Sequence, residues 1–209
     1  MPEPVPRPIR DELLALIRED YRVRETLARD GTLFDGYHPD MRAVHDGNAG
    51  RLDEIVTRHG WPGRAIAGED GAEAAFLIAV HAIAQPPLQR RWLEILGAAV
   101  ATGDAPLRHL AHLEDRVRTL EGRPQRYGTQ FDWDADGEMS PLPIEDPDRV
   151  DRLRAEAGLM PLADAVRRQR EAATSGPERP PDDWYARALR LEQWRREVGW
   201  TEEPGESVS

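Results

Sequence analysis

The chain has 209 residues, a formal net charge of −11 and no cysteine. Disulfides, thiolate zinc sites and cysteine nucleophiles are thereby excluded, and a non-specific nucleic-acid binder, which needs a basic footprint, is argued against. All 28 basic side chains are arginine, which removes Schiff-base and P-loop lysine chemistry too.

No apolar run reaches the roughly 18 residues of a membrane span. The first residues, MPEPVPRPIRDE, lack the apolar core of a secretory signal. These features predict a soluble, cytoplasmic protein with no membrane partner.

Taken in order, residues 1–8 are proline-rich and expected to be disordered. From Pro8 the apolar positions Ile9, Leu13, Leu16, Ile17 and Leu27 predict an amphipathic helix to about Arg29. Gly31 stops it, and GTLFDGYHP reads as a loop. A second helix starts at Asp40, with Met41, Val44, Leu52, Ile55 and Val56 inward, and ends by Gly60. Trp61-Pro62 then makes a rigid aromatic corner.

Residues 71–84, GAEAAFLIAVHAIA, are apolar almost all round, which predicts a central buried helix. Pro86-Pro87 suits the first turn of the next, running to about Ala101. Asp104 is expected to cap the following helix, whose core stripe is Leu110, Leu113, Val117 and Leu120.

After Gly122 the helical period disappears. The segment 122–146 predicts an irregular polar stretch or short hairpin, with RYGTQFDWD and MSPLPI as its arms. Helices resume after Asp146-Pro147 and again after Pro161, the latter to about Ala173. TSGPERPPDD reads as a linker, and Asp183 to Val198 as a last helix bearing Trp184 and Trp194. The predicted fold is mainly α, a single-domain helical bundle. Its expected parts are a helical domain at 9–173, a linker at 174–182, a C-terminal helix at 183–198 and a disordered tail at 199–209.

The ordered motifs GWP (Gly60 to Pro62), the His of AVHAIAQ, LEDRV, EGRPQRYGTQ, PLPIEDPDRVDRLR and AGLMPL together resemble a bacterial family of unknown function. The likeness covers about Asp20 to Ala165. Two departures are visible: Tyr21 follows Asp20 where that family often has glutamine, and His112 stands where it more often has an aromatic residue. The resemblance implies a shared domain and assigns no reaction.

Candidate chemistry concentrates in two places. His81 interrupts an apolar helix, so its imidazole needs a partner, and Asp115 is the expected one, the two forming a proton-transfer pair. Tyr127 is the expected proton donor. Gln125, Thr129 and Gln130 are expected to orient a substrate, Arg116 to contribute to its binding, and Arg123 to neutralise its anionic part. No HExxH, His-x-His, nucleotide-binding or nucleophile-elbow motif is present, so neither metal nor cofactor is expected.

The resulting expectation is a metal-independent acid–base enzyme of hydrolase or lyase type. It would act on a small polar or anionic molecule or a modified peptide. The alternative is a non-catalytic ligand-binding or protein-interaction module.

Overall fold

A computed structural model describes residues 8–33, 36–176 and 179–202. Of the expected disorder at 1–8 and 199–209, residues 1–7 and 203–209 lie outside them, whereas Pro8 opens a helix and Trp200 is buried. The described residues are mainly helical, with one two-stranded antiparallel sheet, as the sequence pattern predicts. None of the described helices is long and apolar enough to cross a membrane. The chain packs as two compact units, Met1–Leu110 and Ala111–Ser209, whose boundary falls inside one helix.

In the first unit, α1 (Pro8–Arg29) packs on both α2 (Pro39–His59) and α3 (Arg64–His81), and α4 (Pro86–Ala101) follows. The buried face of α1 is Leu13, Ile17, Asp20 and Leu27. Those positions recur at helical spacing, so a carboxylate occupies the apolar stripe itself. On α2 the buried positions Met41, Asn48 and Leu52 define a face that also contains His45.

Alanine dominates α3, and Gly71 lets α1 approach closely: a Cβ there would meet the Cβ of Ala67 at 2.8 Å and Cα of Arg10 at 3.2 Å. Gln89 Nε2 donates to the Ala79 carbonyl at 2.6 Å, tying α4 to α3. One local expectation changes. Asp104 does not cap α5 (Leu107–Leu120); its Oδ1 accepts from the Ala65 N–H at 2.7 Å, at the start of α3.

The second unit takes in the end of α5, the hairpin, and three helices. Strands β1 (Phe131–Trp133) and β2 (Met139–Pro141) pair Phe131 with Pro141, Asp132 with Ser140 and Trp133 with Met139. Asp134 closes the turn between them, accepting from the Asp136 and Glu138 N–H groups and from Ser140 Oγ. Then come α6 (Val150–Glu156), α7 (Leu162–Ser175), which packs on β2, and α8 (Trp184–Glu197). Trp184 Nε1 donates to the Trp133 carbonyl at 2.7 Å, and Arg187 pairs with Asp132 at 2.6 Å. The last helix therefore docks on the hairpin of its own unit.

Candidate functional site

The polar segment around residue 125 is built from the inside. Asp115 is fully buried. Its Oδ1 accepts from the Arg126 N–H at 2.7 Å and the Tyr127 N–H at 3.1 Å, and its Oδ2 from the Thr129 N–H at 3.0 Å and Thr129 Oγ1 at 2.9 Å. One carboxylate thus gathers the backbone of a whole loop.

Gln125, also fully buried, completes the arrangement. Its Oε1 accepts from the Gln130 N–H at 2.8 Å, and its Nε2 donates to the carbonyls of Gln130 at 3.0 Å and Leu142 at 2.8 Å. Arg154 closes the far side. Its Nη1 donates to the carbonyls of Tyr127 and Gly128, and its Nε to that of Met160. Gly128 has φ +64°, and a Cβ there would meet Leu162 Cδ1 at 2.9 Å and Ile144 Cδ1 at 3.2 Å. The close approach it permits is to these two side chains.

The structure therefore brings Asp115, Gln125, Thr129 and Gln130 together, with Tyr127 buried beside them. The polar side chains of the first four are engaged with one another and with backbone. Burial pushes the Tyr127 phenol up, which opposes its ionisation. Arg123 pairs with Glu121 at 2.6 Å on an exposed surface, and Arg126 pairs with Glu114 at 3.0 Å. Arg116 differs. It keeps part of its surface, but its Nε is buried with no hydrogen-bond partner, and burial pushes the guanidinium down to about 10.

His81 has another partner than the one expected. Its Nδ1 lies 2.9 Å from Oδ2 of Asp20, which stands beside it where Asp115 was expected. The carboxylate of Asp115 is saturated by its own loop and has no oxygen left for an imidazole.

A second imidazole joins the pair. His45 Nε2 sits 3.2 Å from the same Asp20 oxygen, yet off the line of a hydrogen bond, so that this buried nitrogen has no hydrogen-bond partner. On the other side of the ring, Nδ1 is 2.8 Å from the Tyr37 hydroxyl. The two imidazole centroids are 5.2 Å apart.

Asp20 is fully buried, whereas the His81 side chain is 25% exposed. The cluster thus has a closed carboxylate end and an open imidazole end. Burial alone would push the Asp20 carboxyl up; the close contacts that His45 and His81 make with it, and their charge, outweigh burial and hold the group well below the usual carboxylate range. Its Oδ1 remains buried without a partner.

Asp20, His45 and His81 each offer one ligand atom within 4.8 Å of the others. The expectation of a metal-free site rested on the lack of a local motif, and a donor set drawn from three helices has none to find. Asp20 and His45 were missed for the same reason. The available signal was their place on the apolar faces: Asp20 three residues after Ile17, and His45 four after Met41 and three before Asn48.

Fold and site define a mainly α protein with a buried carboxylate held between two histidines. The chain belongs to DUF6624, a family of unknown function, whose model matches residues 7–175. No curated protein and no solved structure matches the chain.

Proposed function

We propose that this chain is an acid–base enzyme of hydrolase or lyase type, working in the cytoplasm on a small polar or anionic molecule or a modified peptide. Its reaction centre is the Asp20–His45–His81 cluster. One observation carries the reading. A fully buried carboxylate sits 2.9 Å from the ring nitrogen of a partly exposed histidine. Taking a lone carboxylate out of water costs several kcal/mol, and a fold that needed only packing would place an aliphatic side chain at that position of α1.

The cost is offset where the carboxylate orients an imidazole for proton transfer, leaving the second ring nitrogen for a substrate or water. A perturbed carboxylate beside a partly exposed imidazole is a usual mark of such a site. The polar segment at 125–130 supports the reading in a negative sense. Its groups satisfy each other, so it acts as a scaffold.

The test is turnover of a panel of esters, amides, phosphoesters and β-elimination substrates by the parent, His81→Gln and Asp20→Asn. Activity in the parent and its loss in both variants, with melting temperatures retained, is the expected result. Activity that survives His81→Gln moves the centre elsewhere. A parent inert on the whole panel, but with a tight ligand found by thermal-shift screening, returns the protein to the binding-module alternative.

A further inference from the structure

We infer that Asp20, His45 and His81 form a binding site for one divalent transition-metal ion of the zinc class. The binding itself stands on the geometry; the use of the ion in catalysis rests on the functional reading above.

Spacing comes first. Asp20 Oδ2 is 2.9 Å from His81 Nδ1 and 3.2 Å from His45 Nε2, and all three ligand atoms lie within 4.8 Å of one another. Donors bound tetrahedrally to zinc at about 2.0–2.1 Å stand roughly 3.3 Å apart. The two carboxylate–imidazole separations are thus already near what an ion would impose.

Unsatisfied atoms are an independent observation. Asp20 Oδ1 and His45 Nε2 are both buried without a hydrogen-bond partner. Two such atoms on adjacent side chains cost about 1–3 kcal/mol each if left so, and they call for a ligand or water. A cation accepts the lone pair of Nε2, which points off the line to the carboxylate. It also takes either carboxylate oxygen.

The outer partner fits as well. The Tyr37 hydroxyl lies 2.8 Å from His45 Nδ1; in the tautomer that donates this N–H to the hydroxyl, Nε2 is the bare nitrogen that an ion requires. Two imidazoles and one carboxylate select zinc, cobalt, nickel or copper; magnesium and calcium prefer all-oxygen sets. Three protein ligands leave a fourth position for water, as in catalytic zinc sites. Water bound there loses a proton near pH ~7, so the group that transfers the proton would be ion-bound hydroxide, with His81 as one of its holders.

The experiment uses the full chain, freed of metal with a chelator and then titrated with Zn2+ by calorimetry and with Co2+ by visible absorption. One ion per chain, a four-coordinate Co2+ spectrum and a raised melting temperature are expected, with no response to Mg2+. Asp20→Asn, His45→Gln and His81→Gln should abolish binding, Tyr37→Phe should weaken it about 10-fold, and the exposed His59→Gln should leave it unchanged.

Should a ligand variant fail to fold, NMR of the parent still decides. Zn2+ must shift the imidazole signals of His45 and His81 and spare the other four of the six histidines. Lack of stoichiometric binding, or shifts at other histidines, overturns the inference. An ion-free parent with undiminished turnover sinks the ion and keeps the enzyme. An ion-loaded parent inert on every substrate does the reverse.

Discussion

Asp20 and His81 are 61 positions apart in the chain, and their side chains meet at 2.9 Å. The carboxylate end of this pair is sealed and the imidazole end is open. The loop carboxylate Asp115 is sealed as well, yet it serves only backbone N–H groups and one hydroxyl. Two buried aspartates thus do different work, and substitution should separate them.

Asp115→Asn should be among the most damaging single changes. The amide keeps one acceptor and places an NH2 against N–H donors, leaving buried groups unpaired. A loss of about 3 kcal/mol or more is expected from urea unfolding. Stability within about 0.5 kcal/mol of the parent would show that the loop does not depend on this cap.

Arg154 and Arg116 make a second contrast. Arg154→Met strands the buried carbonyls of Tyr127 and Gly128, removes the bond to Met160, and should cost about 2–4 kcal/mol. Arg116→Met removes a guanidinium whose Nε has no partner. It should leave stability within about 0.5 kcal/mol of the parent or raise it. Equal damage from both would mean that Arg116 has a structural counterpart after all.

Gly128→Ala combines a positive φ with a Cβ only 2.9 Å from Leu162 Cδ1. Gly31→Ala meets the same conformational penalty, with nothing within 4 Å. The first should cost about 2 kcal/mol or more, the second about 1 kcal/mol. Paired denaturation curves check the difference, and equal losses would remove the steric part of the argument.

Acid should destabilise the first unit through His109 and Glu73, whose side chains meet at 2.8 Å with Arg108 beside them and Phe76 stacked on the imidazole at 4.3 Å. Burial holds His109 below its ordinary value near 6.5, against the pull of Glu73. For Glu73, burial works upward, but His109 and Arg108 bring it below its ordinary 4.5. Both folded forms bind protons less readily than the unfolded chain.

The His109 contribution is therefore present above about pH 6.5 and lost as pH falls from there towards the lower folded value; the Glu73 contribution is lost from about 4.5 downward. Melting temperature should drop between pH 7.5 and 5.5, and less steeply in His109→Gln. Parallel slopes in parent and variant would assign the effect to other histidines.

Helix positions in this chain follow from local pattern. Pro8, Pro39 and Pro86 open helices, and positive-φ glycines follow the ends of α1 and α2 at Gly31 and Gly60. Gly122 also marks the end of the helical period after α5. The short hairpin was legible because β-prone arms flank an Asp-Gly turn. Apolar spacing at 3.6 residues and turn chemistry are properties of neighbours in sequence, so the sequence alone determines them.

Partnership was not legible. The density of hydrogen-bonding side chains at 125–130 drew the eye to a site, but density does not say whether groups face a ligand or one another. Only the fold, by folding Asp115 and Gln125 under the loop, decided that they face inward. Likewise, His81 needed a carboxylate, and several were available in a chain with 39 acidic residues. Which one it meets depends on how α1, α2 and α3 pack, because side chains on different helices come within bonding distance only through their crossing. Sequence determined the helices and the polarity of their faces; the packing of three helices chose Asp20 and His45 as companions of His81.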